Sequence, residues 1–455
     1  MRFDRGGPHM HRNWLALLCC LVVLWSCDDT SCKQTNGGVE VCDGIDNDCN
    51  GTVDDAPETL CGLDHASSMC TGGLCEIVAC DQDWEDFDNR VSTGCEMLTM
   101  CVPDAPVSRS GAAPWYTCPD PAVLQGATVV TVMDQVDQYF GPEDRRTVDA
   151  TALFPDVSCW QQIFMEVNLE CPASGRCDYW DRTASLALVE DPQDPDSPVL
   201  ELVRYITPYR VGMCTLMDVT EFASRLQGPA VLRSFIDTWV GPGSSNGDGW
   251  RVTVKFHFIA GTPVLPPPEI VSAVPRTWIT VGEGENPVPP QLGETELTFN
   301  EPPRLVKVRV LATGHGQGNS GNCAEFCKLQ PVVRVDTAEH AMDNWRYDCG
   351  SNPVNTQQGT WTYGRQGWCP GAVVVPMVAE ITEDLASSAP ATVSWDMLMA
   401  NATVYENTCQ PGAGELVDGE EICMDCTYGD DLCAYNGGSH TTPVELFTGQ
   451  IFIYR

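Results

Sequence analysis

Twenty-five cysteines in a chain of 455 residues constrain this protein more than any other feature of its sequence. In a reducing cytosol so many thiols would have to bind metal, whereas in an oxidising compartment they form disulfides. Their number therefore predicts an exported protein. Setting aside three N-terminal cysteines, Cys19, Cys20 and Cys27, leaves 22, an even number that suits complete pairing. The length allows two or three domains with cores of their own.

The N-terminus has the pattern of a secretory signal peptide. Three arginines precede an apolar run from Trp14 to Trp25, which is too short to span a bilayer. The run ends in LWSC, which resembles a bacterial lipobox whose lipidated residue would be Cys27. We therefore predict a signal peptide over 1–27 and a protein that is either lipid-anchored to the bacterial cell envelope or secreted. Membrane contact is predicted only through this lipid anchor.

The chain is strongly acidic, with 63 Asp and Glu residues against 25 Lys and Arg, and its formal net charge is −38. Such a surface repels the phosphates of nucleic acids and attracts divalent cations. Nucleic acid is therefore excluded as a partner.

Alternating strand-like segments dominate the sequence from about Val130 onwards. In the run from Trp250 to Ile259 apolar and polar residues alternate strictly, and shorter runs repeat the pattern up to the C-terminus. Together with 40 Gly and 33 Pro, this pattern predicts antiparallel β-sandwiches rather than a parallel sheet. One short helix is expected near Thr220–Leu226.

A stiff proline-rich connector over 263–268 divides this region into two predicted domains, 123–264 and 269–455. A cysteine-rich region over 28–118 precedes them. We expect an all-β fold with two antiparallel sandwiches side by side behind this small module. A further cysteine-rich stretch, 409–433, is predicted to be an insertion whose cysteines form disulfides, with a zinc site as the alternative.

An acidic motif over 40–55 could hold a metal ion. Its oxygen-bearing side chains alternate before a turn at Gly51, and oxygen ligands at every second residue can converge on one cation. Calcium is the predicted ion, and the candidate ligands are Asp46, Asp48, Asn50, Thr52 and Asp54. Pro57 stands where an EF-hand has its closing glutamate, so the motif instead resembles the metal-binding motif of myxobacterial surface proteins. The alternative is a disulfide-stapled spacer with solvated acids.

Two small rings bounded by cysteines each accompany an acidic residue. The segment CPASGRCDYWDR ends with Asp181 and Arg182 where a predicted strand begins, and CAEFC encloses Glu325. A disulfide across so few residues would add little stability, because the gain in loop entropy grows only with the logarithm of loop length. Orienting a carboxylate is the better reason for such a ring. The alternative is a disulfide-pinned loop with an ordinary solvated acid.

Six segments, in order, resemble the peptide-N-glycosidase F family, bacterial amidases that release whole N-linked glycans from asparagine. They are CPASGRCDYWDR, RYITPYRVG, DVTEFASRLQG, FIDTW, CAEFC and GRQGWCPG, and the resemblance covers about residue 130 to the C-terminus. It implies two eight-stranded jelly rolls with the active site in the cleft between them. N-glycosylated proteins or glycopeptides are the implied substrates, and catalysis needs no cofactor. The implied disulfides are Cys171–Cys177, Cys323–Cys327 and Cys349–Cys369.

Carried over residue by residue, the resemblance assigns three acids to the site. The principal catalytic acid falls on Asp181, and the second falls on Glu325. The third, a glutamate in the family, falls on Asp237, which is one methylene shorter and leaves the glycan preference of this chain open. Residues matching those that line the cleft are Arg182, Trp239, His315, Arg365 and Trp368. His315 matches only after a small shift of the glycine-rich loop.

These residues suit hydrolysis of a glycosylated amide by an activated water. Since neither a cysteine–histidine nor a serine–histidine pair is apparent, we expect Asp181 to activate the water and Glu325 to position the amide or a bridging water. Asp237 would hold the first N-acetylglucosamine. The cleft arginines would keep the acids ionised and stabilise the developing oxyanion. Two tryptophans would offer flat faces to sugar rings, Trp239 and Trp368.

Other functions fit this sequence less well. A copper monooxygenase of the peptide-amidating type also has two jelly rolls, but it needs two clusters of histidine ligands. Of the seven histidines, His9 and His11 lie in the predicted signal peptide and His257 lies on the polar face of a strand. The other four show no paired spacing, namely His65, His315, His340 and His440. A lipoprotein that binds glycoproteins without cleaving them is the main alternative, favoured by the shorter Asp237 and by the 409–433 insertion. A structural module of the cell envelope is a more distant one.

Overall fold

A computed structural model of the chain is almost entirely β. It describes residues 32–82, 84–86, 90–95, 97–98, 118, 124, 126–155, 160–194, 196–261, 263, 265–316, 323, 325–354, 356–385, 390–409, 414–422 and 442–455. Within these residues no helix is both long and apolar enough to cross a membrane. The chain separates into two compact units, 1–79 and 80–455.

The first unit is a small module held together by disulfides. They join Cys32 to Cys49, Cys42 to Cys70 and Cys61 to Cys75. Its sheet is a hairpin of β1 (Ala66–Thr71) and β2 (Leu74–Cys80), and a 3₁₀ turn covers Asn36–Gly38. At the hairpin turn Gly73 has a φ of +81°, and a Cβ there would lie 2.7 Å from the nitrogen of Gly44. Glycine therefore lets the hairpin pack against the acidic motif. The predicted cysteine-rich module is confirmed.

The second unit contains the remaining strands. The first ten are β3 (Trp84–Glu85), β4 (Met97–Leu98), β5 (Thr128–Gln138), β6 (Thr147–Phe154), β7 (Trp160–Glu170), β8 (Thr183–Val189), β9 (Val199–Ile206), β10 (Met213–Asp218), β11 (Gly228–Ile236) and β12 (Trp250–Ala260). Then come β13 (Glu269–Thr280), β14 (Glu294–Leu297), β15 (Leu305–His315), β16 (Leu329–Val335), β17 (Ala338–Ala341), β18 (Trp345–Arg346), β19 (Arg365–Gln366), β20 (Ala372–Val373), β21 (Met377–Glu380), β22 (Ala391–Met399), β23 (Glu415–Val417), β24 (Glu420–Ile422) and β25 (Val444–Tyr454).

These strands form two sandwiches with antiparallel pairing. The first packs a sheet of order β10-β7-β12-β5 on one of order β20-β9-β8-β11-β6. The second packs β13-β25-β15-β21 on β14-β22-β16-β17. The pairs β3–β4, β18–β19 and β23–β24 stand apart from them. The predicted all-β fold with two antiparallel sandwiches is confirmed, and β20 adds a short piece of the second half of the chain to the first sandwich.

The alternation predicted for β12 places its apolar residues in the first core. Val252, Val254, Phe256 and Phe258 are all fully buried. Because β12 lies between β7 and β5, its polar face pairs across the sheet. His257 Nε2 lies 2.8 Å from Glu166 Oε2 on β7, and Arg251 forms a two-pronged ion pair with Asp137 on β5.

Helical structure is sparse among the described residues. The predicted helix near Thr220–Leu226 is a 3₁₀ helix over Thr220–Arg225, whose Phe222 enters the first core. The single α-helix, α1 (Val288–Leu292), was not predicted; its prolines lie in the first turn, where a missing N–H costs no hydrogen bond. Further 3₁₀ turns cover Val91–Thr93, Cys349–Ser351 and Thr382–Asp384.

A buried ion pair joins the two sandwiches. On β9, Arg204 and Glu201 form a two-pronged pair at 3.0 and 2.8 Å, and both side chains are fully buried. Arg204 also donates to Thr448 Oγ1 at 2.8 Å and to the carbonyl of Leu446, both on β25 of the second sandwich. The hydroxyl of Thr448 in turn donates to Glu201 Oε2 at 2.5 Å. Each nitrogen of the Arg204 guanidinium and each oxygen of the Glu201 carboxylate therefore has a hydrogen-bond partner.

We predict that Arg204→Met destabilises the protein by about 3–5 kcal/mol, because it leaves the buried Glu201 carboxylate without its partner. Urea unfolding followed by tryptophan fluorescence would measure the loss. Arg233→Met is the matched control, since Arg233 pairs with Asp149 on the surface, where side chains are 27% and 41% exposed; its cost should be below about 1 kcal/mol. Equal costs for the two variants would contradict a central role for the buried pair.

Candidate active site

The loop that carries Asp181 is organised by a neighbouring acid, Asp178. The disulfide Cys171–Cys177 closes the ring before it. Asp178 is fully buried, and its carboxylate accepts hydrogen bonds from Thr238 Oγ1 at 2.6 Å and from Arg182 Nε at 2.9 Å. Its other oxygen accepts the backbone N–H of Trp180 at 3.0 Å. The residues on both sides of Asp181 are thus fixed before β8 begins.

Asp181 itself lies against a tyrosine and an arginine. Its Oδ2 accepts a hydrogen bond from the hydroxyl of Tyr209 at 2.7 Å and lies 3.7 Å from Arg365 Nη2. Burial raises the pKa of Asp181, while the Tyr209 hydrogen bond and the charge of Arg365 oppose that rise. Desolvation therefore favours the neutral form of this carboxyl group, whereas Tyr209 and Arg365 favour its charged form.

Glu325 reaches the same arginine from the second sandwich. The disulfide Cys323–Cys327 closes the ring around it, and its carbonyl accepts the N–H of Gln366 on β19 at 2.9 Å. Glu325 Oε1 lies 4.0 Å from Arg365 Nη2. Burial raises the pKa of Glu325 to about 7, with the negative charge of Asp181 adding to the rise and Arg365 opposing it. Two carboxylates thus share one cation, and Glu325 binds its proton near neutral pH.

Arg365 is fully buried between these acids. Its Nη2 donates to Thr360 Oγ1 at 2.8 Å, and its guanidinium lies 4.9 Å from the ring centre of Phe326 and 4.7 Å from that of Trp368. Its Nε has no hydrogen-bond partner among the described residues. Its Nε–H is therefore an unused donor.

Trp368 and His315 lie behind Arg365 rather than on the surface of the site. Trp368 is 2% exposed and donates from Nε1 to the carbonyl of Gly314 at 2.7 Å. The His315 ring stacks on it at 5.4 Å, and burial lowers the pKa of His315 to about 3, so the imidazole is neutral. Because Arg365 and His315 cover its ring, Trp368 does not offer the open face that the sequence suggested. It supports the arginine instead.

Asp237 and Trp239 follow β11 and form a second group in the first sandwich. The N–H of Asp237 donates to the carbonyl of Thr183 at 2.9 Å, which places it beside the loop of Asp181. Arg146 Nη1 lies 3.6 Å from Asp237 Oδ1, and its guanidinium covers the Trp239 ring at 4.3 Å. Burial raises the pKa of Asp237, opposed by the charges of Arg146, Arg182 and Arg276. Trp239 remains 54% exposed, so a face of it is open to a ligand.

The sequence interpretation missed several residues of this site. Tyr209 lies within the RYITPYRVG segment, but no spacing rule connects it to Asp181, 28 residues earlier. Burial raises the pKa of Tyr209, so its hydroxyl stays protonated and can donate. Phe326 lies inside the CAEFC segment but was not assigned a role. Thr360, Arg146 and Arg276 carried no signal, because they reach the site only through tertiary structure.

The three implied disulfides are all present in the structure, including Cys349–Cys369 next to Trp368. Cys409 of the predicted insertion is also disulfide-bonded. The predicted lipidation site, Cys27, and the insertion residues Cys423, Cys426 and Cys433 lie outside the described residues.

In the first unit, some acids of the 40–55 motif accept hydrogen bonds from the loop backbone, and others bring their carboxylates close together. Asp54 accepts the backbone N–H groups of Asp43 and Gly44, and Asp46 accepts those of Asn50 and Gly51. These two predicted ligands therefore already fix the loop. The carboxylates that come within 4.8 Å of one another are those of Glu40, Asp48 and Asp55. Of the five predicted ligands, only Asp48 belongs to this cluster.

Comparison with known proteins gives matches in both units. The family model described as "Peptide-N-glycosidase F, C terminal" matches residues 290–408, and "Putative metal-binding motif" matches 27–55. Peptide-N(4)-(N-acetyl-beta-D-glucosaminyl)asparagine amidase F of Elizabethkingia miricola is 27% identical over 275 residues, which are 57% of this chain and 74% of that protein.

Solved structures agree in fold. The PNGase F structure from Flavobacterium meningosepticum has a TM-score of 0.55 at 22% identity, covering 72% of this chain and 96% of that one. PNGF-II has a TM-score of 0.52 at 14% identity, covering 72% and 65%. Both sandwiches are thus of the jelly-roll type that the resemblance implied. The predicted resemblance is confirmed: over its two sandwiches the chain is similar to the peptide-N-glycosidase F family, and a metal-binding motif precedes them.

Proposed function

We propose that this protein is an amidase that hydrolyses the bond between asparagine and the first N-acetylglucosamine of N-linked glycans. The observation that carries the proposal is that Asp181 and Glu325, one from each sandwich, approach the same nitrogen of the buried Arg365, Nη2, at 3.7 and 4.0 Å. Water adds to the amide carbonyl and the C–N bond breaks, which leaves aspartate in the polypeptide and a glycosylamine on the sugar. The glycosylamine then loses ammonia to a second water, giving the free glycan.

Asp181 takes the proton of the attacking water in this mechanism and returns it to the amide nitrogen as the C–N bond breaks. Tyr209 orients its carboxylate by a hydrogen bond, and the nearer Arg365 favours the charged form more than it does for Glu325. Glu325, ionised above about pH 7, positions the amide or a bridging water. The unpaired Nε–H of Arg365 stabilises the negative charge that develops on the amide oxygen.

The sugar is assigned to the side of the cleft where Asp237 and the half-exposed Trp239 lie. An aromatic face packs against the apolar face of a sugar ring, while a carboxylate accepts from its hydroxyls. Substrates are N-glycosylated proteins or glycopeptides. Export, with Cys27 as a lipid anchor, is part of the proposal and is supported by the eight disulfides in the described residues.

We expect Asp181→Asn to reduce glycan release by about 10²- to 10⁴-fold, because the amide cannot accept the water proton. The assay is mass spectrometry of a denatured N-glycosylated protein, where cleavage converts the linked asparagine into aspartate. Asp194→Asn, on an exposed loop, is the control and should keep full activity. A parent protein that binds the glycoprotein without releasing glycan, in oxidised folded form, would favour the binding-only lipoprotein instead.

The pH dependence of kcat/KM should follow the ionisation of Glu325. Because the pKa of this carboxyl is raised to about 7 and the ionised form is the active one, the rate should rise about tenfold per pH unit below 7 and level off above it. Glu325→Gln should lower the rate and remove that ionisation from the profile. A parent profile that is flat between pH 5.5 and 8, at about constant stability, would contradict this role.

We further propose that the first unit binds a divalent cation such as calcium through the cluster of Glu40, Asp48 and Asp55. Asn50 Nδ2 donates to both Asp48 and Asp55, at 3.1 and 3.0 Å, and a bound cation would offset the remaining repulsion among three carboxylates within ligand distance. Asp48→Asn should therefore weaken calcium binding at least about tenfold in calorimetry. Asp64→Asn, an exposed acid of the same unit, is the control and should bind like the parent. Equal affinity for both variants would exclude the cluster as the site.

A further inference from the structure

Arg276 on β13 is a partly buried arginine, 18% exposed, with an unused pair of donors. Its guanidinium lies 5.0 Å from the ring centre of Phe235, which precedes Asp237 by two residues on the opposite wall. Nε and Nη2 of Arg276 are buried and have no hydrogen-bond partner among the described residues. Leaving two such donors unpaired is costly, so an acceptor is expected there.

Other arginines of the chain use the same Nε and Nη2 edge to hold a pair of oxygens. Arg146, Arg204, Arg233 and Arg251 each place this edge on a carboxylate. The acid nearest to Arg276 is Glu201, whose Oε1 is 3.9 Å from Nε, beyond hydrogen-bond distance, and Arg204 already occupies that carboxylate. The described protein therefore supplies no oxygen for this edge.

The surroundings of Arg276 place it on the wall of the cleft. Trp278, two residues further on the same face of β13, is 46% exposed and packs edge-on against His315. Asp237 interacts electrostatically with Arg276 from the first sandwich, and burial lowers the pKa of Arg276. Arg276 and Trp278 of the second sandwich thus approach the segment of the first sandwich that carries Phe235 and Asp237.

We propose that Arg276 and Trp278 form a second wall of the sugar site, where Arg276 donates to the acetamido carbonyl of an N-acetylglucosamine held at Asp237. The sugar identity rests on the proposed amidase function. A guanidinium has only donors, and an amide carbonyl, with two lone pairs, is the strongest neutral acceptor of such a sugar. The Trp278 face packs against the same sugar. This contact also compensates for the short side chain of Asp237.

The test is calorimetric titration with N,N′-diacetylchitobiose, which carries two acetamido groups and no asparagine bond to cleave. Arg276→Met keeps the apolar packing over Phe235 but removes the donors, and we expect binding about 10- to 100-fold weaker. Arg276→Lys keeps a charge beside Glu201 without the two-pronged edge, and it should also bind more weakly. Arg251→Met, which removes an arginine paired with Asp137 away from the cleft, should bind like the parent.

Cellobiose is a disaccharide with the same number of sugar rings but without acetamido groups. Its affinity therefore distinguishes the hydrogen bond from Arg276 to the acetamido carbonyl from stacking of sugar rings on tryptophan. The parent should bind cellobiose more weakly than chitobiose, and Arg276→Met should not weaken it further. Thermal melting of each variant accompanies the titrations. If the melting temperature of Arg276→Met is lowered, the test rests on Arg276→Lys. A purely structural role of Arg276 would leave the chitobiose affinity of the lysine variant unchanged.

The outcomes keep this inference apart from the proposed reaction. Equal chitobiose affinity for the parent, Arg276→Met and Arg276→Lys would overturn the inference even if the protein releases glycans. Cellobiose binding with the same dependence on Arg276 would overturn the acetamido assignment. Chitobiose binding that depends on Arg276 in a protein that releases no glycan would support the inference and refute the amidase.

Discussion

The buried pair of Glu201 and Arg204 is the interaction on which the rest of the structure depends. Neither charge reaches solvent, and Arg204 completes its hydrogen bonds only on β25 of the other sandwich. A shift of one sandwich against the other would take the β25 acceptors away from Arg204 and leave buried donors of its guanidinium unpaired, which costs more than breaking an apolar contact. This constraint fixes the cleft, because Asp181 comes from one sandwich and Glu325 and Arg365 come from the other.

Within that cleft, Arg365 decides how the two acids behave. Burial raises the pKa values of both carboxyl groups, and the positive charge of Arg365 opposes that rise. The arginine therefore lets two desolvated acids lie close together. The tight disulfide ring around Glu325 and the buried Asp178 behind Asp181 orient these groups. The disulfide ring and the buried carboxylate thus hold the two acids in fixed orientations before a ligand binds.

The site is locally rich in arginine although the chain as a whole carries a charge of −38. Each cleft acid interacts with at least one arginine, and Asp237 interacts with three. Such compensation lets three carboxylates share a desolvated space, and it leaves Nε of Arg365 and both Nε and Nη2 of Arg276 without a hydrogen-bond partner among the described residues.

The sequence alone predicted the fold class, because period-2 alternation depends only on which residues are apolar, and its small cysteine rings marked Asp181 and Glu325 as candidate acids. The resemblance supplied Asp237 and the cleft arginines. Only the tertiary structure revealed Tyr209 on Asp181, the burial of Trp368 and the free donors of Arg276. It also showed that Glu40 and Asp55, rather than Asp46 and Asp54, lie beside Asp48. These facts depend on distances between residues far apart in the chain, and on burial that no local pattern contains.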